Sequence, residues 1–167
     1  MTLTFRFLVT VFVCSAALTG VAVARSNDRT QEVQVSGSST SVINGPNTKS
    51  VVTGNVRIAQ GTILVTGDLA ELYSGADSHV TRVVVTGRKA HVEQQDDKGE
   101  WMKADADRID YDLTAGLAVL TGSAQVIKGT SGTATAPKII YHVDEATFQA
   151  EGDEHENVHM TLFPKRH

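Results

Sequence analysis

The sequence predicts an all-β protein of antiparallel hairpins, and three observations carry that prediction. Short segments alternate apolar and polar residues, turn signals return every ten residues or so, and one pattern recurs along the chain. Alternation with period two sends successive side chains to opposite faces, as in a half-buried strand. It is plain in V-R-I of NVRIAQ, I-x-Y-x-L of RIDYDL and V-x-M-x-L of VHMTL. Val and Thr are frequent, Ile and Tyr sit within the alternating stretches, and helix-capping signals are scarce, which suits a pleated backbone.

The recurring pattern organises the chain. VVTGNVRIAQGT (51–62) is echoed by VLTGSAQVIKGT (119–130), each with a second glycine seven residues after the first: Gly54 to Gly61, and Gly122 to Gly129. DRIDYDLTAGLAVLTG (107–122) matches PKIIYHVDEATFQAEG (137–152), with 11 residues from tyrosine to final glycine in both. A third copy, VVTGRKAHVEQQ (84–95), runs into the polar insertion DDKGE. Gly54, Gly87, Gly122 and Gly152 thus mark a degenerate repeat of 30 to 35 residues. A glycine after a strand residue supplies positive φ or a bulge, which lets a sheet turn between units.

Taken in order, the segment Ser26 to Lys49 is rich in Ser, Asn and Gly, with an edge strand expected at Glu32 to Val35. Turns are expected at Asn44-Gly45-Pro46, Gln60-Gly61, Ser74-Gly75, Lys98-Gly99, Ala115-Gly116, Lys128-Gly129 and Glu151-Gly152-Asp153. Only Glu100 to Leu113 has a helical flavour. Its apolar positions Met102, Ala104, Ala106 and then Ile109, Tyr111, Leu113 keep period two with one slip, which predicts two strands. A last strand is expected from Val158 to Phe163, before Pro164.

The first 24 residues read as a cleavable targeting segment. Arg6 precedes an apolar run from Phe7 to about Ala17, and small residues end in Ala22-Val23-Ala24. Thr10, Ser15, Thr19 and Gly20 interrupt the run, which weighs against an uncleaved anchor. Cys14 is the sole cysteine, and Val13 before it is not the small residue a lipoprotein signal needs. The expected mature chain, residues 25–167, is one domain with an ordered core at about 31–164 and no disulfide. Loss of Arg6 leaves 14 basic and 19 acidic side chains, a net charge of −5. With no basic stripe interleaved with aromatics, nucleic acid is not an expected partner.

Chemistry-bearing motifs are few. HENVH (155–159) has the spelling of a zinc-peptidase helix. It follows a glycine turn and enters an alternating strand, where residues four apart sit roughly 13 Å from each other and cannot share an ion. No metal site and no catalytic set is predicted, so the chain is not expected to be an enzyme and no cofactor is expected. Asp105, Asp107, Asp110 and Asp112 read as a solvated face with turn caps, since the run lacks the glycine-bent loop that calcium requires. His91 and His142 read as outward polar positions.

Three stretches carry a resemblance. VVTGNVRIAQGTILVTGDLAEL, RIDYDLTAGLAVLTGSAQV and PKIIYHVDEATFQAEGD resemble the OstA-like family of periplasmic lipopolysaccharide-transport proteins, over roughly Gln31 to Pro164. The family opens one late strand with a D-K-I pattern where this chain has Pro137-Lys138-Ile139, a departure expected to loosen the start of that strand. The resemblance implies an open, slightly twisted antiparallel β-jellyroll bent into a V. It also implies a periplasmic carrier that binds lipopolysaccharide by the lipid A acyl chains in an apolar groove and passes it towards the outer membrane. The implied partners are the inner-membrane-anchored LptC, the outer-membrane LptD and further copies of the chain, docked edge to edge in a head-to-tail bridge.

Elementary physics supports a groove for such a cargo. Each acyl CH₂ kept from water is worth about 0.8 kcal/mol, so a multi-chain lipid needs a dry path across an aqueous compartment. Alternation places Val56, Ile58, Val92, Tyr111, Leu113, Val126, Ile139 and Tyr141 on one face, with Val33 and Val35 continuing it at the first edge. Arg57, His91 and Asp112 take the opposite face. The competing expectation is a closed β-sandwich that binds a carbohydrate or a protein and uses the same residues as ordinary core.

Overall fold

Ten strands follow a short 3-10 helix, η1 (Arg25–Thr30), in the computed structural model, which describes residues 25–41, 45–129 and 131–164. The strands are β1 (Gln34–Ser36), β2 (Ser39–Ser41), β3 (Lys49–Gln60), β4 (Ile63–Ser74), β5 (Val80–Gln95), β6 (Trp101–Asp112), β7 (Leu117–Lys128), β8 (Gly132–His142), β9 (Thr147–Glu151) and β10 (His159–Leu162). All neighbours are antiparallel, and β3 to β8 form one meander in chain order. Residues 1–24, where a targeting segment is expected, and the last three residues lie outside the described part.

The expected turns at residues 60–61, 74–75, 98–99, 115–116 and 128–129 connect these strands. Two expectations are corrected. Glu100 to Leu113 is not two strands: β6 is one strand, and the slip in its alternation is a bulge between Asp105 and Arg108. Lys138 does not begin a loosened strand either, because β8 runs straight through Pro137. Pro137 has no register partner in β7, β9 or β10, so its missing N–H interrupts no ladder.

Aligned bulges explain both the repeat and the bend. Register shifts fall at Gly54-Asn55 in β3, between Thr66 and Leu69 in β4, between Thr86 and Ala90 in β5, and at Gly122-Ser123 in β7. The Thr-Gly pair therefore marks the middle of a long strand. Gly67 belongs to the series, whereas Gly152 falls just after β9. Gly54 and Gly122 have φ of 71° and 80°, and the next residues, Asn55 and Ser123, are left-handed too. Two consecutive left-handed residues bend the strand and hold the fold line in place.

The fold line divides the sheet into two lobes. Lobe A comprises the halves of β3 to β8 next to the 60–63, 95–101 and 128–132 turns, with β1 and β10 as its edges. Lobe B comprises the other halves, edged by β2 and β9. Each edge of the whole sheet is thus two short strands, not the single strands read from the sequence. Buried side chains of the two lobes form one continuous apolar cluster. The Tyr141 hydroxyl of lobe B donates to Gln94 Oε1 of lobe A at 2.8 Å, across that interior. The sheet is folded on itself without closing, an open β-jellyroll.

Candidate functional site

Direct cross-strand partners share a face of the sheet, and the register sorts the predicted residues accordingly. Val35, Ile58, Val65, Val92, Ala104, Val126, Ala134 and Met160 form one row across lobe A. Leu72, Val83, Tyr111, Ala118, Tyr141 and Phe148 form a row in lobe B, and Val52, Ala70, Val85, Ile109, Leu120, Ile139 and Ala150 form the next. These rows face the interior. Arg57 and His91 lie in an outer row with Thr66, Asp105 and Gln125, and Asp112 pairs with Arg82 on the outer face of lobe B.

The outer face is a lattice of charge pairs. His91 meets Asp105 at 2.9 Å, Lys103 meets Glu93 at 3.1 Å, and Lys138 meets Glu151 at 2.8 Å, each directly across a strand pair. Arg82 holds Asp110 through two bonds of 2.7 and 2.6 Å, with Arg108 adding a third. The Arg82 hydrogen bond keeps the Asp110 carboxyl below the usual carboxylate range. Asp112 caps the following turn by accepting from Ala115 N–H at 2.8 Å. The acidic run Asp105 to Asp112 is accordingly a paired surface.

The ten predicted lining residues fall into three groups. Val56, Val126 and Ile139 are sealed in the interior, 2%, 1% and 0% exposed. Ile58, Val92, Tyr111 and Tyr141 line narrow gaps between the lobes, and Val33 and Leu113 join them at one end. Val35 is exposed, because β1 is an edge strand with no further strand beside it among the described residues. Each gap encloses only about 10 Å³, close to the space one water needs. The lobes as seen hold no acyl chain without parting.

A wider cleft of about 500 Å³ opens at one end, lined by Arg29, Val33, Gln60, Val80, Tyr111 and Leu113 among others. The η1 helix bridges the tips of the two lobes at this end. Buried Asp28 accepts from Thr62 N–H at 2.9 Å, from the Thr62 hydroxyl, and from Gln94 Nε2 at 3.4 Å, all at the tip of lobe A. Arg29 pairs with Asp144 and donates to the carbonyls of Leu113 and Thr114 at 2.7 and 2.8 Å, at the tip of lobe B. Two turn glycines make room for this clasp. A Cβ on Gly61 would lie 2.2 Å from Asp28 Oδ1, and one on Gly116 would lie 2.5 Å from Arg29 Nη1; both glycines have positive φ.

Asp28, Arg29, Gln60 and Gln94 were not anticipated from the sequence. For the glutamines a signal exists: Gln60 continues the inward series Val56, Ile58, and Gln94 continues Ala90, Val92, so each is a polar residue in an apolar slot. The HENVH segment forms no helix. Asp153 Oδ1 accepts from the N–H groups of His155 and Glu156, making a turn, and His159 opens β10. This corrects the expectation that both histidines sit on a strand.

A family model described as LptA/(LptD N-terminal domain) LPS transport protein matches residues 34–147. The chain belongs to this family. A member of the family is a lipopolysaccharide-transport component, and the matched span runs from β1 to the start of β9, most of the folded sheet. Twenty solved chains are similar to it. One is LptH, described as the LptA-homologous periplasmic component of the lipopolysaccharide transport device of Pseudomonas aeruginosa. It superposes with a TM-score of 0.73 at 25% identity, covering 83% of this chain and 99% of that one. No curated protein matches the chain. Among the described residues no helix is long and apolar enough to cross a membrane.

Proposed function

We propose that this family member carries lipopolysaccharide through the periplasm by taking the lipid A acyl chains between its two lobes. The observation that supports this is the split of the sheet into a predominantly apolar inner face, with Gln60 and Gln94 as its polar exceptions, and a charge-paired outer face, with a cleft opening into the former. Chains enter at the end clasped by η1, where Val33, Val80 and Leu113 offer apolar walls next to polar tips. Loading parts the lobes, and a uniform lining of Val, Ile and Tyr lets cargo move on without a deep trap. Residues 1–24 are the cleaved export signal, and residues 25–167 are the single working domain.

Both ends of the sheet suit edge-to-edge assembly. Val158, Met160, Leu162 and Phe163 lie exposed on or beside β10, with Met160 at 53% and Leu162 at 73%, and Val35 lies exposed on β1. Unprotected edges invite a further strand. Pairing β10 of one copy with β1 of the next is a head-to-tail contact that extends without closing. The same edges serve LptC at the inner membrane and LptD at the outer membrane.

The closed binding module is the second reading, and the near absence of free space between the lobes favours it. Purified full-length protein, titrated with lipopolysaccharide while it holds an environment-sensitive hydrophobic dye, separates the two. A carrier loses dye signal saturably as lipid is added. A closed module shows no dye uptake and no lipid binding.

A further inference from the structure

Among the described residues, two buried side-chain polar atoms lack a hydrogen-bond partner: the Tyr111 hydroxyl and Arg29 Nε. Both residues line the cleft at the clasped end. Leaving one such atom unpaired is costly, and finding two together at the mouth of an apolar groove calls for a physical account. The rest of the Arg29 guanidinium is occupied by Asp144 and by the carbonyls of Leu113 and Thr114. Tyr141, which fills the equivalent place in the echoed I-x-Y motif, is satisfied by Gln94 at 2.8 Å. Of the two matching tyrosines, only the one at the mouth is unpaired.

The chemistry of the missing partner follows from the atoms. Arg29 Nε is a donor only, and the hydroxyl of Tyr111, a residue 7% exposed, has its proton free to give, so a single partner that serves both is an acceptor. The charged groups lining the cleft are Arg29, which Asp144 already pairs, and the carboxylates Glu32 and Asp77 beside His79. That balance repels a phosphate or carboxylate and suits a neutral oxygen.

We propose that Tyr111 and Arg29 form a polar stop at the groove mouth that receives the carbonyl oxygen of an acyl ester or amide link. The inference rests on the carrier reading and deepens it. The link is where an acyl lipid changes from apolar chain to polar backbone, so a donor pair at the mouth fixes how deeply the chains enter. Bare alkyl chains gain nothing from it.

The test uses the full chain and two phospholipids with the same headgroup and chain length, one ester-linked and one ether-linked, each displacing a hydrophobic dye. Tyr111→Phe is expected to lose about 3- to 10-fold in affinity for the ester lipid, the range of one neutral hydrogen bond, with ether-lipid affinity unchanged. The lipid-free variant is expected to melt higher than wild type, because an unpaired buried hydroxyl has gone. Tyr141→Phe, which breaks a bond inside the protein, is expected to melt lower. An equal loss for both lipids, or no loss for the ester lipid, overturns the polar stop while leaving the carrier reading intact. Failure of the wild type to take up either lipid overturns both.

Discussion

Replacing Asp28 with Ala removes the acceptor that fastens η1 to lobe A, and its consequence can be worked from the structure. The carboxylate takes two strong bonds from Thr62, through the backbone N–H and the hydroxyl, and one weak bond from Gln94 at 3.4 Å. Hydrogen bonds to a charged group contribute about 1.5–3 kcal/mol each, so the two strong ones set a ceiling of about 3–6 kcal/mol. Water reaching the freed tip recovers part of this, which leaves about 2–4 kcal/mol. Because η1 touches only the lobe tips, the loss raises local opening more than global unfolding. At 1.4 kcal/mol per factor of ten, the open state grows by about 30- to 700-fold. Native-state hydrogen exchange reads this directly at the Thr62 and Gln95 amides, the latter bonded to Thr62 Oγ1 at 3.2 Å. Both amides should exchange faster by that factor, and a hydrophobic dye should enter the cleft more readily, while amides at the fold line keep their protection. Unchanged exchange at both amides refutes the clasp.

Further outcomes are expected. Val126→Asp places a charge at a 1% exposed position and should cost more than about 4 kcal/mol in urea unfolding, whereas Arg57→Asp on the outer face should stay within about 1 kcal/mol. Burial pushes the Tyr111 hydroxyl up to about 12 from 10.0, so it carries no ionisation penalty below pH 10 and the fold loses stability as pH rises from there through 12; Tyr111→Phe should flatten alkaline denaturation curves in that window. Asp110 is displaced the other way, so its share is complete above the ordinary carboxylate range and lost as pH falls below it; Asp110→Asn should soften acid unfolding. Deleting residues 160–167 should leave a folded chain that binds lipid but stays monomeric on sizing columns at concentrations where the full chain assembles; unchanged assembly defeats the edge-strand joint. Changing His155 and His159 together to Gln should leave transport intact in complementation.

The strands and the inner face were legible in the sequence because period-two alternation is a local signal. Ile58, Val92, Val126 and Tyr141 could be assigned to one face without knowing which strands pair. The Thr-Gly repeat was visible as well, but its meaning was not. Only the register shows that Gly54, Gly67 and Gly122 lie on a single fold line, and that a bulge at Ala106-Asp107 stands in for the glycine missing from β6. The clasp escaped notice for the opposite reason. Asp28 and Arg29 act on Thr62, Leu113 and Asp144, far away in sequence, and nothing in S-N-D-R-T announces those contacts. Gly61 and Gly116 read as ordinary hairpin glycines, and their second role as seats for Asp28 and Arg29 is a tertiary fact. The double edges, β1 with β2 and β9 with β10, arise because short strands share one long neighbour across the fold line, which no local pattern encodes.

The central claim, that acyl chains lie between the lobes, is tested most directly by photo-crosslinking to lipopolysaccharide in living cells. A photoreactive side chain is placed in turn at Ile58, Val92 and Leu113 on the inner face, and at Arg57, His91 and Asp112 on the outer face. Capture at the first three positions and none at the second three is the expected result. Equal capture from both faces, or capture from the outer face alone, contradicts the groove.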